Sequence, residues 1–300
     1  MKVFVTGASG YIGGSIAASL IEAGHQVTGL ARTEERAREI ETHGIVPVRG
    51  SLADAEVLRR AAVEADAVVN AASSDDRAAV EALLQALAGT GKAVLHTSGS
   101  SIVADLADGE REGKVYDEST PFEPLPLRAK RVALNTAVLA AAAQGVRAII
   151  ICPSLIYGNG RGVHRDSVQV PWLIKQARQH KVGRHIGPGR NVWSNVHIDD
   201  LVRLYLLALE KAPAGAFYYA ENGESSMREI SAAIGTALGY GERTEAIPID
   251  AAVAEFGESF ARYTMASNSR VRALRARKEL GWSPSAPSLL RDIEEACRAA

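Results

Sequence analysis

Three glycines near the N-terminus, Gly7, Gly10 and Gly13, carry the clearest chemistry in this chain. They follow a short apolar run, KVFVT, and open an amphipathic stretch, so the context is strand, turn and helix. Gly7 permits the sharp turn, Gly10 lets the backbone approach a diphosphate, and Gly13 lets helix and strand pack closely. Beyond Ser9, the N–H groups at the helix start, around Tyr11 and Ile12, are then free to bind anionic oxygens. The pattern predicts a dinucleotide site. At the end of the next strand, HQVTGLART, the acid that would hold two ribose hydroxyls is missing, and Arg32 follows Ala31. A guanidinium there pairs with a 2′-phosphate, so NADP is the expected cofactor. NAD bound without a carboxylate contact is the alternative. Arg36 and Arg38 either assist or face water.

Further along, Thr97, Ser98, Ser100 and Ser101 surround Gly99 at the end of an apolar run. Ser98 or Ser101 could orient a substrate oxygen, or these hydroxyls could simply cap a loop. Three more protic side chains are candidates. Tyr157 sits in LIYGNG, His164 in the glycine-rich GRGVHRD, and Tyr116 in a loop expected at the surface. His197, just before Asp199 and Asp200, reads as a packing residue where a helix starts. Trp172, Trp193, Asn195 and Tyr219 are either pocket lining or core. Neither Cys152 nor Cys297 has metal-ligand spacing, and no metal is expected.

These residues need a scaffold, and the chain supplies a regular one. Strands are expected at 2–6, 26–30, 45–49, 66–71, 92–97 and 146–152. Helices are expected at 11–23, 33–43, 54–64, 75–89 and 128–144. Several strands are continuously apolar, as in a parallel sheet covered on both faces. The alternation implies βαβ units and an α/β fold, a Rossmann-type doubly wound sheet. Residues 1–160 are read as the dinucleotide-binding domain. Residues 161–300 are read mainly as a smaller, interleaved substrate lobe, with some segments returning to the sheet. It holds helices at 168–181 and 199–211, a strand AFYYA, another near 245–249, and two terminal helices.

The 300 residues are 47% hydrophobic and 23% charged, ordinary for a globular chain, with a net charge of −1. That balance argues against a nucleic-acid partner. The run Arg270, Arg272, Arg275, Arg277 and Lys278 is read as a solvated helix face. No apolar segment is long enough to span a bilayer. The opening MKVFVTGASG reads as a first strand, not a signal peptide. The two cysteines, Cys152 and Cys297, form no disulfide framework, so a reducing cytoplasm is expected.

The turn Thr6-Gly7-Ala8-Ser9-Gly10-Tyr11-Ile12-Gly13 resembles that of the extended short-chain dehydrogenases/reductases, which include nucleotide-sugar epimerases. DAVVNAAS, VLHTSGSS, CPSLIYGNG and NVHIDDL resemble later motifs of that family, in the same order, across nearly the whole chain. The resemblance implies that Ser51, Leu52, Asn70, Ala71, Ala72, Thr97 and Pro153 border the cofactor. It also implies a small-molecule substrate, no membrane partner, and a homodimer formed through helices such as 75–89 and 128–144. Family members use a Tyr-x-x-x-Lys pair on the helix expected here in PLPLRAKRVALN, which has no tyrosine. One register puts Arg131 at the lysine position and Leu127 at the tyrosine position; the other puts Lys130 and Pro126 there. The chain thus resembles atypical members that keep a basic residue and lack the tyrosine. An NADP-dependent oxidoreductase acting on a carbonyl or alcohol is expected. A catalytically impaired cofactor-binding sensor and an epimerase-like enzyme are the alternatives.

Overall fold

The structure, a computed structural model, describes residues 1–298. Its first half alternates strand and helix. The elements are β1 (Lys2–Thr6), α1 (Tyr11–Glu22), β2 (Gln26–Ala31), α2 (Glu34–Glu41), β3 (Val46–Arg49), α3 (Ala55–Glu64), β4 (Ala67–Asn70), α4 (Arg77–Ala86), β5 (Ala93–Thr97), α5 (Pro126–Ala140) and β6 (Arg147–Pro153). Six of these strands and β10 (Ala216–Ala220) form one parallel sheet in the order β10-β6-β5-β4-β1-β2-β3. Chain direction across the sheet reverses between β1 and β4. In a doubly wound sheet, ligands bind in the crevice at the carboxyl ends of the strands at that switch point. Every residue of β4 and β5 is buried, because helices cover both faces. That is why their sequences run apolar without alternation.

Beyond Pro153 the chain builds smaller units. β7 (Leu155–Tyr157), α6 (Gln169–His180), β8 (Gly183–Ile186), β9 (Val192–His197), α7 (Ile198–Lys211), β11 (Glu224–Ser226), α8 (Met227–Ala237) and β12 (Thr244–Ile247) follow in order, β10 falling between α7 and β11. β9 pairs with β7 and β11, and β8 pairs with β12. α9 (Ile249–Phe256), α10 (Glu258–Phe260), a π-helical turn at Ala261–Met265, α11 (Leu274–Leu280) and α12 (Leu289–Arg298) complete the chain. Around Leu155, Leu173, Trp193, Met227, Ile230 and Leu289 this region has an apolar core of its own. α7, β10 and α11 return to the large sheet and share its core.

Three features differ from expectation. The helix expected over 128–144 starts at Pro126, a good first-turn residue, and tightens into a 3₁₀ turn at 141–144. Gly145, at φ 73°, then ends it. The strand expected near 245–249 stops at Ile247, because Pro248 precedes α9. The arginine run is a solvated helix face only in part: Arg277 and Lys278 are exposed on α11, whereas Arg270 and Arg272 precede it. Arg270 is buried against Glu224 and the carbonyls of Glu112 and Gly113. Arg272 also reaches Glu224, and Arg277 pairs with Glu221. The acids lie some fifty positions earlier, so charge along one segment could not reveal the pairing.

The loop after β7 binds the two halves together. Its backbone crosses α1 where glycine meets glycine, and a Cβ on Gly162 would lie 2.6 Å from the Gly14 Cα. Arg161 donates its N–H to Ser15 Oγ and a guanidinium N–H to Ser19 Oγ, and it pairs with Glu22. The Tyr11 hydroxyl lies within hydrogen-bond distance of the carbonyls of Tyr157 and Gly158.

Candidate functional site

The glycine turn is closed by sterics rather than by side chains. A Cβ on Gly13 would stand 2.3 Å from the Gly7 carbonyl oxygen. Gly7 has φ 75°, and a Cβ there would strike the backbone of Ala71 and Ala72 at 2.8–2.9 Å. The turn is thus pressed against both its own helix and the loop after β4. Gly10 precedes α1 without a side-chain cap, and the first turn of α1 holds no acid. The orphan N–H groups of that turn are therefore left without a partner from α1 itself.

Two cavities flank this turn. One, of about 510 Å³, is bordered by Gly7, Ser9, Gly10, Arg32, Arg36, Ser51, Leu52, Ala71, Ala72 and Asp76. The other, of about 270 Å³, is bordered by Gly10, Tyr11, Ile12, Ala71, Ser154, Asp166 and Gln169. An elongated ligand with a diphosphate at its middle fits this plan. The backbone around Gly7, Gly10 and Gly13 would hold the diphosphate, and the larger cavity would hold the adenosine end. Arg32 makes no hydrogen bond or ion pair among the described residues. Arg36 reaches the same cavity while paired with Glu39 at 2.6 Å. Ser51 donates both N–H and hydroxyl to Asp54, which fixes its loop at the cavity rim.

At the carboxyl end of β5, α5 turns a cation inward. Of the two candidate cations, Lys130 is exposed, whereas the Arg131 side chain is only 14% exposed. Arg131 grips Asp75 through Nε and Nη2, and its Nη1 donates to Ser101 Oγ at 3.1 Å. The guanidinium holds the Asp75 carboxyl below its ordinary pKa, chiefly through those hydrogen bonds. Next to this pair, Asn135 Nδ2 donates to Ser98 Oγ at 2.9 Å. Ser98 is buried, while Ser101 is only partly so, and Ser101 keeps its proton to donate. Asp75 belongs to the loop that supplies Ala71, Ala72 and Asp76 to the larger cavity, so one loop borders both the cofactor cleft and the cation.

A row of polar side chains crosses the sheet beneath. Thr6 donates to Asn70 Oδ1, and Asn70 Nδ2 donates to His96 Nδ1 at 3.0 Å. Burial, followed by the nearby Arg131 charge, pushes the His96 pKa down to about 4, so the imidazole is neutral near pH 7. With Nδ1 accepting, the proton is on Nε2, and Nε2 is buried without a partner. Sequence reading passed over His96 because a histidine inside an apolar strand carries no spacing signal. Asp75 and Arg128 were passed over as well; an acid two residues before a helix looks like an ordinary cap.

Other candidates have architectural contacts. The fully buried Tyr157 donates its hydroxyl to the Pro287 carbonyl, and burial raises its pKa further from any donor range. His164 is exposed, its backbone N–H bonded to the Ser9 carbonyl. His197 accepts the Asp199 N–H at the start of α7 and packs edge-on to Tyr157. Thr97 bonds Tyr205, on the opposite face from His96. Pro153 ends β6, and Tyr116 bridges to Val271. Trp193 donates to the Ser267 carbonyl, Trp172 packs on Phe256 and Phe260, and Asn195 and Tyr219 are buried. We expect Tyr157→Phe to leave turnover within about twofold of the parent and to cost about 1 kcal/mol in a denaturation midpoint, one net hydrogen bond. A hundredfold loss of turnover with unchanged stability would return Tyr157 to the chemistry.

Known proteins resemble this chain in sequence and in fold. Residues 3–219 match the model of the NAD dependent epimerase/dehydratase family. The chain is 32% identical over 306 residues to the uncharacterized protein C2A9.02 of Schizosaccharomyces pombe, covering 98% of each chain. It is 32% identical over 251 residues to a 2-alkyl-3-oxoalkanoate reductase of Stenotrophomonas maltophilia, covering 77% of this chain and 73% of that one. Among solved structures it resembles a dTDP-glucose 4,6-dehydratase of Bacillus anthracis in complex with NAD, with a TM-score of 0.77 and 20% identity. That match covers 99% of this chain and 96% of the other. No helix among the described residues is long and apolar enough to cross a membrane.

Proposed function

Because the chain belongs to the NAD dependent epimerase/dehydratase family, we propose that it is an NADPH-dependent reductase of a small carbonyl compound. When bound, the nicotinamide supplies hydride to the carbonyl carbon. The chain's own residues bind, orient and stabilise. Ser101, its oxygen engaged by Arg131, donates a hydrogen bond to the substrate carbonyl. Arg131 lies close enough to offset negative charge developing on that oxygen. An arginine holds its proton too tightly to exchange it readily. Water therefore delivers the last proton, in a site with no tyrosine on α5.

The observation that carries this reading is the Arg131–Asp75–Ser101 cluster, positioned by the loop that also borders the cofactor cleft. An epimerase makes a stronger demand for a base, and the one carboxylate of this cluster, Asp75, is held by Arg131 with its pKa lowered. The Stenotrophomonas relative is by name a 2-alkyl-3-oxoalkanoate reductase, which favours the same direction of chemistry. Incubating the protein with NADPH and a panel of ketones, following absorbance loss, tests the proposal. Tight NADPH binding without any turnover would instead support a cofactor sensor, consistent with the exposed Leu127 at the tyrosine's position.

NADP is preferred because Arg32 and Arg36 converge on the larger cavity and β2 ends without an acid. A charge-assisted hydrogen bond is worth about 1.5–3 kcal/mol. Arg32→Ala should therefore weaken NADPH binding by roughly 10–100-fold and change NADH binding by less than about threefold. Fluorescence titration with both cofactors checks this, and an equal loss for both would assign Arg32 elsewhere.

A further inference from the structure

Six buried side-chain polar atoms lack a hydrogen-bond partner among the described residues, and three of them lie about Arg131: His96 Nε2, Arg128 Nε and Asn135 Oδ1. Buried polar groups are normally satisfied, so their gathering here marks a place built for a polar ligand. Arg128 is the unusual member. It lies three residues before Arg131, in the first turn of α5, so the two side chains leave neighbouring points on one helix face. Arg131 is neutralised by Asp75, whereas Arg128 has no carboxylate partner among the described residues. Burial is the largest cost to the Arg128 charge; Arg131 adds to it, and Asp75, already held by Arg131, offsets part of it from a distance without pairing. From the smaller lobe, Tyr263 on the π-helical turn lies within electrostatic reach of the same guanidinium. A half-buried, unpaired guanidinium with an orphaned N–H is destabilising unless something anionic completes it.

We infer that the substrate is an oxo acid, its carboxylate paired with Arg128 and its carbonyl turned to Ser101 and Arg131. This rests on the reductase reading above and adds to it the charge of the substrate. Arg128 is then a specificity residue, separate from the cation that faces the reacting oxygen. The Cβ atoms of Arg128 and Arg131 leave the helix about 5–6 Å apart. Two guanidinium groups from such neighbouring points can meet one small molecule that carries both an acid and a carbonyl. This arrangement leaves the remainder of the substrate free to extend toward the smaller lobe.

The experiment uses the full chain with NADPH and two matched series: 3-oxo acids of four to ten carbons and their methyl esters. The parent is expected to reduce the best acid at least about thirtyfold more efficiently than its ester. Arg128→Gln should cut kcat/KM for the acid about a hundredfold, mainly through KM, and leave the ester within about threefold. Arg128→Lys should recover part of the loss, and both variants should melt within a few degrees of the parent. Esters reduced as well as acids, or equal loss on both series in Arg128→Gln, overturns the inference while the reductase reading stands. NADPH bound with neither series reduced overturns the reductase reading, and the inference with it.

Discussion

Gly13→Ala is expected to weaken NADPH binding by at least about a hundredfold. The added Cβ would stand 2.3 Å from the Gly7 carbonyl oxygen, which is backbone and cannot swing aside. The turn must therefore move away from α1, and Gly7 is already pressed against Ala71 and Ala72. Movement there displaces the N–H groups proposed to hold the diphosphate and deforms the larger cavity at once. Stability should change less than affinity. Overpacking costs typically 1–3 kcal/mol, and alanine in a helix recovers up to about 1 kcal/mol over glycine. Fluorescence titration combined with a thermal melt separates the two effects. Unchanged NADPH affinity in a folded variant would remove the dinucleotide from this turn.

The second large effect is expected at Arg131. Arg131→Ala should lower kcat/KM by about 10²–10³, the range for deleting one donor to a developing oxyanion. The fold should scarcely notice, since Asp75 is 56% exposed and regains water when its partner is removed. Arg131→Lys should keep the charge and lose the two-pronged grip on Asp75. Lys130→Ala is the matched control, one residue away and exposed, and should leave turnover unchanged. The sign of the acid-side behaviour follows from Asp75. Its carboxyl is held below the ordinary value, so the pair is intact above that value and is lost as pH falls through the depressed one. Turnover that survives Arg131→Ala while melting is unchanged would show that the cation is not part of the chemistry.

Much of this architecture could be read from local pattern. Continuous apolar runs such as AVVN and AVLHT match strands buried on both faces, and the glycine triplet falls at the turn between β1 and α1. Contacts between distant segments were far less legible. The Arg131–Asp75 pair spans 56 residues, and Arg128 gains its meaning only from what it fails to contact. A side chain's type says which bonds it can form, whereas its neighbours decide which are left unmade. The same holds for the arginines near the C-terminus, whose acids come from β11 and the segment before it. His96 is the sharpest case. A polar residue in an apolar strand became interpretable only once the register placed Asn70 beside it.

The crossing of Gly162 over Gly14 has a consequence for how this chain can change. Both positions already carry the smallest side chain available, so neither can shrink to accommodate growth at the other. No pairwise exchange exists that keeps the backbones in place; the seam has no slack.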